Sequence, residues 1–219
     1  GEVVTTPTYA WGHFPFSENA KQALSNTNKV LLVRDPYDWV LSMAKFRYHI
    51  KKRQGENVLS VIGEQLSALP DGDSHIAQIS KSDYSINDWL EITIKGQVTD
   101  NGALITPLMK NIFNKFATQW FNEADVYTVK YESLLAAVDS LRNGEDQYNF
   151  FKGIFDAAGI AMPDDWKDRV LVGADPASSA TASQNVGNNQ AGFPDVLPDE
   201  FKAMVDAELP NIRATLGYM

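Results

Sequence analysis

Residues 30–42 read Val30-Leu31-Leu32-Val33-Arg34-Asp35-Pro36-Tyr37-Asp38-Trp39-Val40-Leu41-Ser42, and this stretch decides the fold. Residues 29–33 are apolar on both faces, which predicts a buried parallel strand. A helix over residues 36–52 follows. Asp35 suits the cap, and Pro36 suits the first helical position, where no N–H is needed. A strand that ends in Arg34 delivers a guanidinium to the sheet edge, and the next helix points its N-terminus the same way. That is the elementary form of an anion site. Ser42 stands eight residues after Arg34, about two turns into the helix at roughly 3.6 residues per turn. The same residues also fit an ordinary strand–helix junction with a good cap.

Working outward, residues 2–10 are β-rich and extended, with Pro7 pointing to an edge or interrupted strand. Ser17 predicts the cap of a helix over 18–25. Residues 57–69 carry Val58, Ile62, Leu66 and Leu69 at helical spacing, and residues 70–73 form a turn. A helix within 83–94 begins near Ser85 or Asn87. The stretch 55–100 is irregular, the kind of segment in which specificity often lies. Thr106-Pro107 opens an amphipathic helix with Leu108, Ile112, Phe116 and Trp120 in one stripe and Phe113 and Ala117 beside it. These aromatics read as core. Residues 126–130 form a second short strand, followed by helices over 132–142 and 145–158, with Gly159 as a stop. Residues 173–194 read as a long loop, and a final helix covers 198–209. No internal repeat is present. Strands alternating with helices predict a single α/β domain over residues 1–219, layered around a mostly parallel central sheet flanked by helices.

Composition narrows the classes. The chain has 219 residues, 44% of them apolar, and a formal net charge of −9. It is large enough for one sizeable core. It has no global attraction to nucleic acid or anionic membranes. The local basic run Lys45, Arg47, Lys51, Lys52 and Arg53 reads as a solvated helix face. With no cysteine, disulfides and thiolate chemistry are excluded. His13, His49 and His75 are too dispersed to suggest a metal site, so no metal is expected. No apolar run approaches the ~18 residues of a membrane span, and no secretory signal is visible. A soluble, cytoplasmic protein is the expectation.

Four ordered motifs resemble the sulfotransferase family. The first is Arg34-Asp35-Pro36 with Ser42, similar to that family's 3′-phosphate-binding motif. The second is His13-Phe14-Pro15, 21 residues before Arg34. The third is Tyr131-Glu132-Ser133-Leu134, which follows a strand and opens a helix; taken alone, it also fits a helix start with a carboxylate near the N-terminus. The fourth is the closing region Gly187-Asn188-Asn189-Gln190-Ala191-Gly192-Phe193, with the helix after it and Leu216-Gly217-Tyr218.

The resemblance implies a P-loop NTPase-like, sulfotransferase-type three-layer fold. It implies 3′-phosphoadenosine-5′-phosphosulfate (PAPS) as co-substrate and a hydroxyl-bearing acceptor. Arg34 and Ser42 would hold the 3′-phosphate, Tyr131 would lie near the nucleotide, and His13 would be the general base. A neutral imidazole near pKa 6.5 suits that task.

The chain departs from the family at the 5′-phosphosulfate loop, a lysine- and glycine-bearing phosphate cradle expected tens of residues before His13. Only twelve residues precede His13, and none match. Pro176-Ala177-Ser178-Ser179-Ala180-Thr181 lacks both the glycine and the lysine. Trp11 replaces a lysine found in cytosolic members, and Gln184-Asn185-Val186-Gly187 offers no cation. The expectation is a domain incomplete at its N-terminus, or one that compensates by homo-oligomerisation or strand exchange. Two readings stay open. One is sulfonate transfer from PAPS, possible only if the site is whole. The other is a non-catalytic α/β domain that binds a nucleotide or a protein. A nucleoside-triphosphate enzyme is set aside, because no glycine-rich loop ends in Gly-Lys-Ser/Thr.

Overall fold

The computed structural model describes residues 15–53, 84–98, 104–106, 109–178 and 192–218. Expectations for 2–10, 57–69 and 70–73, and for His13, fall outside these residues. So does most of the 173–194 loop.

The first helix, α1 (Glu18–Ala23), is capped as expected: Ser17 Oγ accepts the Ala20 N–H at 3.0 Å. Strand β1 (Lys29–Val33) runs into α2 (Pro36–Arg53). Helix α3 (Ile86–Lys95) opens on a capping box, in which Ser85 and Asp88 each accept the other's backbone N–H. A short antiparallel pair follows, β2 (Gln97–Val98) and β3 (Leu104–Thr106), which the polar sequence around it conceals.

The predicted continuous helix after Pro107 is instead α4 (Met109–Phe113), a π-helical turn (Asn114–Thr118) and α5 (Gln119–Phe121). The π-turn shifts the phase of the residues after Thr118, Trp120 among them. The buried set becomes Met109, Phe113 and Trp120, while Ile112 and Phe116 are only half-buried.

Strand β4 (Val126–Lys130) pairs parallel with β1, Leu31 opposite Thr128 and Val33 opposite Lys130. Then come α6 (Tyr131–Arg142), α7 (Tyr148–Ala158) and α8 (Trp166–Gly173). Gly159 ends α7 in the left-handed region at φ 70°. Helix α8 is hard to read from sequence because its strongest apolar anchor, Trp166, is its first residue. The expected helix over 198–209 is α9 (Asp199–Glu208), and a further short helix, α10 (Ile212–Thr215), follows it. The break between them falls at Pro210-Asn211, with Asn211 at φ 62°.

Two apolar clusters hold these elements. The larger joins Val33 to Val40, Leu41 and Ala44 of α2, Trp89, Leu90 and Ile94 of α3, Phe113 of α4, and Phe201 and Val205 of α9. The smaller joins Ala137, Val138 and Leu141 of α6 to Phe151 and Trp166. In each helix the buried positions recur three or four residues apart, the spacing of one helical face.

The molecule is thus of α/β character, helices around a small parallel sheet of two strands among the described residues. Its β1 differs from expectation in one respect. Leu31 and Val33 turn toward the larger cluster, but Val30 and Leu32 are 40% and 53% exposed. An apolar run alone does not say whether both faces are covered. Here α7 lies against the second face, where Gly153 approaches the Tyr127 ring, and it leaves those two side chains uncovered.

Candidate functional site

Two parallel strands bring their C-terminal ends to one edge, so the residues just past Val33 and Lys130 become neighbours. On the β1 side these are Arg34 and Asp35; on the β4 side they are Tyr131 and Glu132. Asp35 caps α2 as its sequence predicts. Its Oδ1 accepts the Tyr37 N–H at 2.9 Å, and its carbonyl accepts the Trp39 N–H at 2.8 Å. Pro36 is buried between them and needs no acceptor.

Glu132 does not serve its own helix. It crosses to the other strand's exit, where Oε1 accepts the Asp35 N–H at 2.9 Å. Its Oε2 accepts the Tyr218 hydroxyl at 2.8 Å, and that hydroxyl lies 3.3 Å from the Val33 carbonyl. Burial, and then the Glu132 carboxylate, hold the Tyr218 phenol far above its ordinary value.

The C-terminal segment closes the edge. Arg213 of α10 forks onto Asp35, with Nη2 2.8 Å and Nε 3.1 Å from Oδ2, and Nε 3.2 Å from Oδ1. Its guanidinium also lies over the Tyr37 ring, 4.5 Å from the centroid. The Tyr37 hydroxyl donates to the Asp206 carboxylate of α9 at 2.9 Å. Lys130 sits 4.6 Å over the Tyr218 ring and donates to the Gly217 carbonyl. The hydrogen bond to Asp35 raises the Arg213 pKa further. Asp38, one turn into α2, titrates above the usual aspartate value. Partial desolvation of its carboxyl is the first cause, the neighbouring Asp35 charge adds to it, and the Arg34 charge opposes both.

Arg34 stands apart in this network. Its guanidinium carbon lies 4.7 Å over the Tyr131 ring. Its Nε is buried without a hydrogen-bond partner, and among the described residues no carboxylate pairs with the group. Among the described residues a second such atom, Trp89 Nε1, belongs to a buried apolar cluster rather than to a cationic group. A stacked arginine that keeps its donors unspent is chemically fitted to an oxyanion. A buried N–H without an acceptor costs on the order of 1–3 kcal/mol, which an incoming oxygen would relieve.

Of the four residues singled out from sequence, Arg34 and Tyr131 come together. Ser42 is half-buried on α2 and makes no hydrogen bond to Arg34. His13 lies outside the described residues; the chain just after it is anchored where the Phe16 N–H meets the Lys115 carbonyl at 2.7 Å and its ring meets Trp120 edge-on.

Arg213, Tyr218 and Lys130 escaped the sequence reading as site residues, since Arg213 lies 178 positions from Asp35. The Gly217-Tyr218 pair was the one available signal, and it marked a region rather than a role. Among the described residues no cluster of His, Asp or Glu is arranged to hold a metal, and no helix is long and apolar enough to cross a membrane. No family model, no curated protein and no solved structure matches this chain.

Proposed function

We propose that the chain is a sulfotransferase-like protein of the three-layer P-loop-like type, and that it binds PAPS and its product 3′,5′-adenosine bisphosphate. The observation that carries this reading is the Arg34 guanidinium. It sits at the C-terminal edge of two parallel strands, stacked on Tyr131, with a buried Nε–H and no carboxylate partner among the described residues. In this reading Arg34 receives the 3′-phosphate, Ser42 supports it from α2, and Tyr131 borders the nucleotide.

Transfer would run in line. The acceptor oxygen forms a bond to sulfur as the bond from sulfur to the bridging phosphate oxygen breaks. The hydroxyl proton passes to His13, and the bisphosphate leaves with the electron pair. A positioned base of this kind contributes typically 10²–10⁴-fold.

The test is a thermal shift with 3′,5′-adenosine bisphosphate on the wild type and Arg34→Ala. Ligand at 100 times its dissociation constant stabilises by about 2.7 kcal/mol, or on the order of 5–10 °C for a chain of this size. A shift in the wild type that Arg34→Ala loses supports the reading. No shift at millimolar ligand, or an equal shift in both proteins, overturns it. Preference for 3′-phosphorylated nucleotides over ATP separates it from triphosphate chemistry.

A further inference from the structure

We propose that Arg213 is a positioning residue for the anion site: by engaging the Asp35 carboxylate it keeps the Arg34 guanidinium available to a dianion. This inference rests on the reading of Arg34 given above and concerns how that site is kept open.

Arg34 and Asp35 are adjacent in the chain and carry opposite charges. Left to themselves, they are each other's nearest partners. The structure separates them. Both Asp35 oxygens are taken, Oδ1 by the Tyr37 N–H and by Arg213 Nε, Oδ2 by Arg213 Nε and Nη2. The Asp35 side chain is 13% exposed and that of Arg213 29%, so the pair is largely shielded from water. A forked arginine–carboxylate pair fixes direction as well as charge.

The other carboxylates nearby are also accounted for. Glu132 accepts from the Asp35 N–H and from Tyr218. Asp206 accepts from Tyr37, whose ring supports Arg213. Asp38 is exposed as a residue, with its carboxyl partly desolvated; it feels the Arg34 charge but forms no ion pair with it among the described residues. Asp35, Glu132 and Asp206 are thereby committed to other donors, and Asp38 reaches Arg34 only through the charge between them. Without Arg213, the Asp35 carboxylate would either pair with Arg34 or stand as a bare negative charge beside the dianion. Both outcomes oppose binding.

The charge account makes a prediction that a purely structural role does not. Removing Arg213 should damage binding, and then removing the Asp35 charge should repair it. Asn at position 35 keeps a side-chain oxygen to cap α2.

The experiment is calorimetric titration with 3′,5′-adenosine bisphosphate, and separately with inorganic sulfate. The proteins are wild type, Arg34→Ala, Arg213→Ala, Arg213→Gln, Asp35→Asn and Asp35→Asn/Arg213→Ala, with melting curves as a folding control. Arg213→Ala is expected to weaken binding roughly tenfold, and the double variant to recover most of that loss. Arg213→Gln keeps a donor without the charge, and serves in place of Arg213→Ala should the latter not fold.

Unchanged affinity in the Arg213 variants overturns the inference, as does a loss that Asp35→Asn fails to repair. The nucleotide reading fails separately. If sulfate follows this pattern while the bisphosphate does not bind, that reading falls and the role of Arg213 stands. If neither ligand distinguishes wild type from Arg34→Ala, both fall.

Discussion

The two ends of the β1–β4 pair are built from similar residues and reach opposite outcomes. At the N-terminal end, Lys29 donates to the Leu24 and Thr27 carbonyls at 2.9 and 3.0 Å and pairs with Asp125 at 2.8 Å. Asn28 packs against Gly159, where a Cβ would meet its Nδ2 at 2.0 Å. The shallow polar depression there is lined by Asn26, Asn28, Lys29 and Asp125. Its central cation is fully engaged. At the C-terminal end three cations gather, and two of them, Lys130 and Arg213, are also engaged. The third, Arg34, rests on an aromatic ring and has no hydrogen-bonded or ion-paired acid among the described residues. A closed end holds the fold, and an end with unspent donors is equipped to bind. In parallel sheets that asymmetry has a physical root, because the following helices present their N-termini at the C-terminal edge alone.

Substitutions at the two ends should therefore separate stability from binding. The largest effect is expected at Gly159→Ala. It places a side chain in the left-handed region, at about 1–2 kcal/mol, and drives a Cβ into Asn28. A loss of about 2 kcal/mol lowers Tm by about 4–8 °C, with bisphosphate affinity unchanged. Adding Asn28→Ala should recover the part due to contact. Differential scanning calorimetry of both variants checks this.

Next comes Arg34→Lys, which keeps the charge and loses the planar fork and the stacking on Tyr131. About a tenfold weaker Kd is expected, or 1.4 kcal/mol, with Tm little changed. Titration calorimetry reads it, and equal affinity would refute the geometric role of the guanidinium.

Lys29→Met is third. It removes one donor from each of the Leu24 and Thr27 carbonyls and the pair with Asp125, and should cost about 1 kcal/mol of stability, measured by urea unfolding, with no effect on ligand binding.

Asp38→Asn is the smallest. In the folded state Asp38 titrates above its unfolded value, because burial and the Asp35 charge favour the neutral acid. The folded protein then binds that proton more readily than the unfolded chain, so the Asp38 charge opposes folding at neutral pH. The variant should melt slightly higher at pH 7. The gain should fade as pH falls through the raised value of Asp38, and vanish below about 3.9. A gain that grows toward acid would reverse the assignment.

How far the sequence could be read follows the range of each interaction. β1 and β4 were legible to the residue because each is a short apolar run bounded by charged or turn residues. The caps at Ser17 and Asp35 were legible because a cap and its N–H lie within three residues of each other, and the structure decides between Ser85 and Asn87 in favour of Ser85. The left-handed stop at Gly159 was local too. The π-turn at Asn114–Thr118 was not, since it changes the phase of a helix whose composition is ordinary. Exposure of Val30 and Leu32 depended on how much of a second face α7 covers, which the run itself does not encode. At the candidate site, Arg34 and its helix were visible from thirteen consecutive residues. The partners of Asp35 and Glu132 were not, because Arg213 and Tyr218 come from the far end of the chain.

That same long reach bears on how the protein folds. Asp35 meets Glu132 across 97 positions, Arg213 across 178, and Tyr218 meets Val33 across 185. Contacts this distant in sequence repay their loop-closure entropy only after much of the chain is in place. The Arg34 edge should thus be among the last parts assembled and absent from the rate-limiting nucleus. An anion bound there would slow unfolding while leaving the folding rate nearly untouched, so occupancy of this edge would lengthen the lifetime of the finished molecule.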